Sequence, residues 1–189
     1  SYGDSIIAAF TVSSRIVAVA YMIMIGWGQG FQPICAMNYG AKKYDRVQSA
    51  FTLTVVVGTI FLMLSATLLY LFSEHFIRML SKDDEVIFIG VQILRMQCIS
   101  MPLLGYFAVS SMLMQNIGKY FWSLFISISR QGIFYIPLLY LLSNFYGELG
   151  IYLLQPVSDI LSFLLAVFIV HRNNKYVSIK LGEKGREEL

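Results

Sequence analysis

Long runs without a single charge dominate this sequence. Residues 16–41, 47–73, 96–118 and 131–147 contain no Asp, Glu, Lys or Arg, and a further apolar stretch, 149–170, is interrupted only by Asp159. A helix needs roughly 20 predominantly apolar residues to cross the hydrocarbon core of a bilayer. Five such segments in 189 residues leave little room for anything else. Composition agrees, with 57% hydrophobic and 13% charged residues against about 45–50% and about 25% in soluble domains. So few charges cannot cover the surface of a soluble enzyme. The sequence therefore predicts an all-α integral membrane protein, a bundle of five transmembrane helices at about 5–37, 47–73, 84–117, 120–143 and 148–171, followed by a cytoplasmic tail, 172–189.

The joints carry the helix punctuation. Gly40 precedes a basic loop with Lys42, Lys43 and Arg46, and Gly118-Lys119 and residues 143–147 read as turns. The stretch 73–85, SEHFIRMLSKDDE, reads as a polar connection. Within it, Ser81 followed by Asp84 resembles a capping box for the third span. Five crossings put the termini on opposite sides. Lys42, Lys43, Arg46, Lys119 and the cations of the tail share one side, while Arg78 and Lys82 are on the other. The positive-inside rule makes the first side cytoplasmic and places the N-terminus outside. The net charge of +3 and the lack of a basic, aromatic-interleaved stripe give no sign of nucleic-acid binding. Cys35 and Cys98 lie in apolar sequence and read as small buried hydrophobes.

Polar groups inside the spans are the functional candidates, because an ionised side chain at mid-bilayer is costly and needs a partner or a wet cavity. They are Arg15, Arg95, Arg130 and Asp159, with Gln97 and Gln131 beside them. Counted from the outer ends of their helices, all four charges fall ~15 to ~20 Å deep, near the middle of a ~30 Å core. Arg130 and Asp159, on consecutive antiparallel helices, form the first candidate ion pair, with a structural bridge ahead of direct substrate contact as its role. Gln97 and Gln131 are expected to bond between helices. Pro33, Pro102, Pro137 and Pro156 all fall inside spans and are candidate hinges of a bent bundle. Gly26, Gly28 and Gly30, with one GxxxG, suggest close helix packing. Walker, G-x-S-x-G, H-E-x-x-H and C-x-x-C motifs are absent, so no enzyme, metal site or cofactor is expected.

Three stretches resemble the second half of a multidrug and toxic compound extrusion (MATE) transporter. They are GWGQGFQP at 26–33 with NYGAKKYDR at 38–46, SRQGIFYIP at 129–137, and GELG at 147–150 with QPVSD at 155–159. Ala36 stands where the family's QPxxGxNxGA segment usually has glycine. The resemblance implies a fold of twelve helices in two six-helix lobes, with these five as helices eight to twelve. It implies export of organic cationic or amphipathic compounds by alternating access, coupled to sodium or proton entry, with the other lobe as partner. Residues Arg15, Arg95, Gln97, Arg130, Gln131, Gln155 and Asp159 are then the cavity candidates. The family's coupling acids lie largely in the other lobe or in helices seven and ten. The apolar part of the helix-ten equivalent holds Arg95, Gln97 and Gln115 but no acid, so the coupling-ion site is expected outside this chain. A lipid-linked saccharide flippase of the same superfamily, favoured by the three arginines, and a non-transporting membrane subunit are the alternatives.

Overall fold

The computed structural model describes the backbone of residues 2–187, and the side chains of residues 4–142, 144, 145, 147 and 150–173. The elements are α1 (Tyr2–Gly40), α2 (Tyr44–Leu71), α3 (Ser73–Leu80), α4 (Asp84–Ser100), α5 (Leu103–Asn116), α6 (Tyr120–Ile128), a π-helical turn (Ser129–Ile133), α7 (Tyr135–Tyr146) and α8 (Glu148–Glu187). No strand occurs among the described residues. Helices α1 and α2, the α6–α7 segment and α8 are each long and apolar enough to cross a bilayer, and α4 with α5, bent by 55° at their joint, passes the same test when the pair is taken as one broken span. The all-α membrane fold read from the sequence is the fold observed, with four such spans, or five when the bent α4–α5 pair counts as one.

The bend falls at Pro102, the residue before α5. Proline has no N–H to continue the helical ladder, and its ring crowds the preceding turn. Pro137 sits in the first turn of α7, just after the π-helical turn, where Phe134 N–H donates to Ser129 O at 2.9 Å across five residues. The helices around the other two hinge candidates are unbroken, since α1 runs through Pro33 and α8 through Pro156. Each proline removes one backbone donor, and buried residues, Phe31 and Cys35 beside Pro33 and Leu154 beside Pro156, flank the two positions.

One joint and the end of the last span differ from their sequence reading. The stretch 73–80 is helical, with Ser73 and Ile77 buried and Glu74 bonded to Arg78 at 2.9 Å across one turn. Its apolar side is only a few residues wide, too short to stand out beside the long spans. The cap of α4 is Asp83, whose carboxylate accepts from Glu85 N–H at 2.9 Å, and not the Ser81–Asp84 box. Ser81 Oγ accepts instead from Asp83 N–H at 3.3 Å. At the other end the backbone of α8 stays helical to Glu187, past residue 171 where the fifth span was expected to stop. The tail side chains from 174 onward lie outside the described residues.

Met24, Leu62, Leu94, Met101, Leu104, Met114, Ile126 and Ile169 form the centre of the core. Outward-facing residues are just as apolar, with Leu64 67% and Phe121 71% exposed. In water such patches drive association; against lipid tails they are the matched surface. Within the bundle, association depends on close packing of small residues. The GxxxG pair does not supply it, because a methyl at Gly26 or Gly30 would meet no described atom within 4 Å. Gly28 lies against Met112, and Gly105 lets α5 approach the backbone of α2, where a methyl would lie 3.1 Å from Thr59 N.

Candidate functional site

Asp159 lies on the inner face of α8 and is only 2% exposed. Its carboxylate is fully engaged. Oδ1 accepts from Arg130 Nε at 2.7 Å and from Gln155 Nε2 at 3.0 Å, and Oδ2 accepts from Ser100 Oγ at 2.8 Å. Three elements thus meet on one acid: the last residue of α4, the π-helical turn, and α8 one turn away. The irregular turn carries a bond of its own, with Ser158 Oγ donating to Arg130 O at 2.6 Å. The Arg130 guanidinium carbon lies 5.1 Å from the centre of the Tyr21 ring of α1, a cation–π arrangement. The pair is therefore hydrogen-bonded on several sides, as a buried ion pair must be to offset its desolvation.

Above the pair opens a cleft of about 550 Å³. Ser14, Gln97, Arg130, Gln131 and Gln155 contribute its polar groups, and Phe10, Tyr21 and Tyr135 its aromatic walls. Gln97 Nε2 also donates to Ser14 Oγ at 3.2 Å, tying α4 to α1. A second cleft of about 350 Å³ shares Tyr21, Ile25, Arg130 and Gln131 with the first and continues past Gln29, Gln32 and Gln115. Its far wall is a small hydroxyl network in which Ser111 Oγ lies 2.8 Å from Ser127 Oγ and 3.1 Å from Ser123 Oγ. Arg130 stands where the two clefts join. Among the described residues no three His, Cys, Asp or Glu side chains gather as a metal site.

Of the seven cavity candidates, five come together here: Gln97, Arg130, Gln131, Gln155 and Asp159. Arg15 and Arg95 do not. Arg95 Nε donates to Ser73 Oγ at 3.1 Å, and its guanidinium lies over Tyr70, beside the first residue of α3. Arg15 lines a groove that Leu68 and Leu69 of the last turn of α2 also line. Both sit toward the α3 end, near the level of the Ser14–Gln97 bond at the edge of the cleft, and are turned away from it toward α2 and α3. Counting from the helix's first residue misplaces Arg15, because α1 has 39 residues, or ~58 Å, and overruns the core. The uncharged lining residues Ser14, Tyr21, Gln29 and Gln32 escape a search for charges. Their spacing along α1 follows the helical period and is the signal that could have found them.

A span bundle with a buried ion pair under a polar, aromatic-walled cleft defines a membrane protein with an internal polar site. The family model described as MatE matches residues 1–141, and the chain belongs to that family. It is 23% identical over 171 residues to "Multidrug export protein MepA" of Staphylococcus haemolyticus (strain JCSC1435), covering 90% of this chain and 37% of the relative. Among solved structures, the MATE multidrug transporter DinF-BH is 38% identical, with a TM-score of 0.79, over 87% of this chain and 37% of that one. An outward-facing MATE family transporter is 14% identical and superimposes with a TM-score of 0.87 over 93% and 40% of the two chains, a likeness of fold alone. The chain thus spans a little over a third of the length of the relatives it matches.

Proposed function

We propose that this chain is the C-terminal half of a secondary active multidrug exporter, its five spans standing as helices eight to twelve. It moves organic cationic or amphipathic compounds in exchange for sodium or protons, working as a transporter and not as an enzyme. The observation that carries the reading is the composite cleft around Arg130: large enough for part of a small molecule, aromatic on its walls, and polar mainly through glutamines and hydroxyls. Aromatic rings and amide oxygens hold cations and amphipathic molecules without demanding one geometry. The flippase reading needs an unpaired cationic cavity. Here Arg130 is neutralised by Asp159, and Arg15 and Arg95 lie elsewhere, which favours the exporter. Asp159 is the only acid within the spans' apolar sequence, and its engagement by three donors supports a coupling-ion site outside this chain.

The test is efflux of a fluorescent organic cation from vesicles holding the full-length protein that contains this chain. Efflux should follow an imposed sodium or proton gradient and stop when the gradient is dissipated. Gradient-independent efflux, or movement of lipid-linked saccharide alone, would overturn the reading. Alternating access needs two bundles around one site, so vesicles containing this chain alone should show no gradient-driven efflux.

The proposed orientation puts the 42–46 loop in the cytoplasm and α3 outside. Single cysteines placed at Lys43 and Lys82 should react with an impermeant thiol reagent from opposite sides of an intact membrane. The native Cys35 and Cys98 are buried and leave a low background. Labelling of both introduced cysteines from one side would remove the five-crossing topology.

A further inference from the structure

A groove of about 460 Å³ runs between α1 and α2 beneath α3. It is lined almost wholly by aliphatic and aromatic side chains, and Arg15 is the one charged residue described in its walls. Arg15 is exposed and has no ion-pair partner among the described residues. Gly58 of α2 packs on Met24 of the antiparallel α1, so nine residues further along each helix Arg15 comes level with Thr67, near the end of α2, a helix of 28 residues, or ~42 Å. That length matches a bilayer of about 40–45 Å with its headgroups, so the guanidinium lies at headgroup depth. From there the groove descends along Val19 and Ile23 on one wall and Phe61 on the other, ~12 Å deeper at Ile23. A cation at the headgroup level over an apolar channel of that length matches one phosphate and the upper part of an acyl chain. No carboxylate lines the groove to hold the ammonium of a zwitterionic lipid.

We propose that this groove binds a phospholipid with a net anionic headgroup, its phosphate on Arg15 and an acyl chain along Val19, Ile23 and Phe61. The inference rests on the membrane placement alone, so failure of the efflux assay leaves it standing.

The chain is reconstituted into phosphatidylcholine nanodiscs with spin-labelled phosphatidylglycerol or spin-labelled phosphatidylcholine, and the motionally restricted fraction of each label is measured. The wild type should prefer phosphatidylglycerol about five-fold, the scale of one basic side chain near a membrane surface. R15Q should lose most of that preference and R15K keep it. V19W, which fills the channel at a lipid-facing position, should lower the restricted fraction of phosphatidylglycerol while the bundle stays folded. Excess inorganic phosphate should not displace the label. An unchanged preference in R15Q, no effect of V19W, or displacement by free phosphate would each overturn the proposal. If R15Q does not fold, R15K and V19W still decide it.

Discussion

Asp159→Asn should destabilise the bundle by about 3–5 kcal/mol, the cost of leaving one member of a buried ion pair unpaired. The acid accepts from Arg130, Gln155 and Ser100 at 2.7, 3.0 and 2.8 Å, and the neutral amide cannot accept from all three while carrying its own NH₂ group. The thermal unfolding midpoint of the detergent-solubilised protein should fall sharply, with lower yield from the membrane. Arg130→Gln added to it removes the stranded guanidinium and should recover part of the loss. A single variant that unfolds like wild type but no longer supports efflux in the full-length protein, unrescued by the second change, would make Asp159 a protonatable group on the transport path instead.

Gly150→Ala should also be strongly destabilising, against the ordinary sign. Alanine inside a helix is usually better than glycine by about 1 kcal/mol. Gly150 is near the start of α8, folded back on α7 through Gly147 at φ +55°. A methyl there would fall within contact distance of the Leu142 carbonyl, so backbone has to move. Overpacking against backbone costs roughly 1–3 kcal/mol and occasionally more, and the upper part of that range is expected here. Its unfolding midpoint should drop, whereas Gly26→Ala, where a methyl meets no described atom, should hold or raise it. Equal behaviour of the two variants would contradict the close α7–α8 contact.

The crossings and the central ion pair were legible in the sequence for a common reason. Bilayer thickness fixes how long an apolar run must be, and the scarcity of charge leaves Arg130 and Asp159 few choices of partner. Depth along a helix was less legible. Arg15 and Arg95 are as far from their helix starts as Asp159 is from its own, yet helices of different length start at different levels. Only contacts between helices, such as Arg95 with Ser73, fix that level. Helix α3 and the Asp83 cap are local choices among several polar residues that could each end or begin a helix. The lining of the clefts by Ser14, Tyr21, Gln29 and Gln32 follows from which face of α1 turns inward. That face is set by packing against α4 and α5.

The π-helical turn at Ser129–Ile133 gives the fourth crossing one residue of slack relative to a regular helix. Annealing that slack into α-helix would rotate everything on one side of it by ~100°. Arg130, bonded through both its side chain and its carbonyl to α8, pins the slack in place. The salt bridge is thus also a rotational stop. While it holds, the two halves of this helix keep one angular setting.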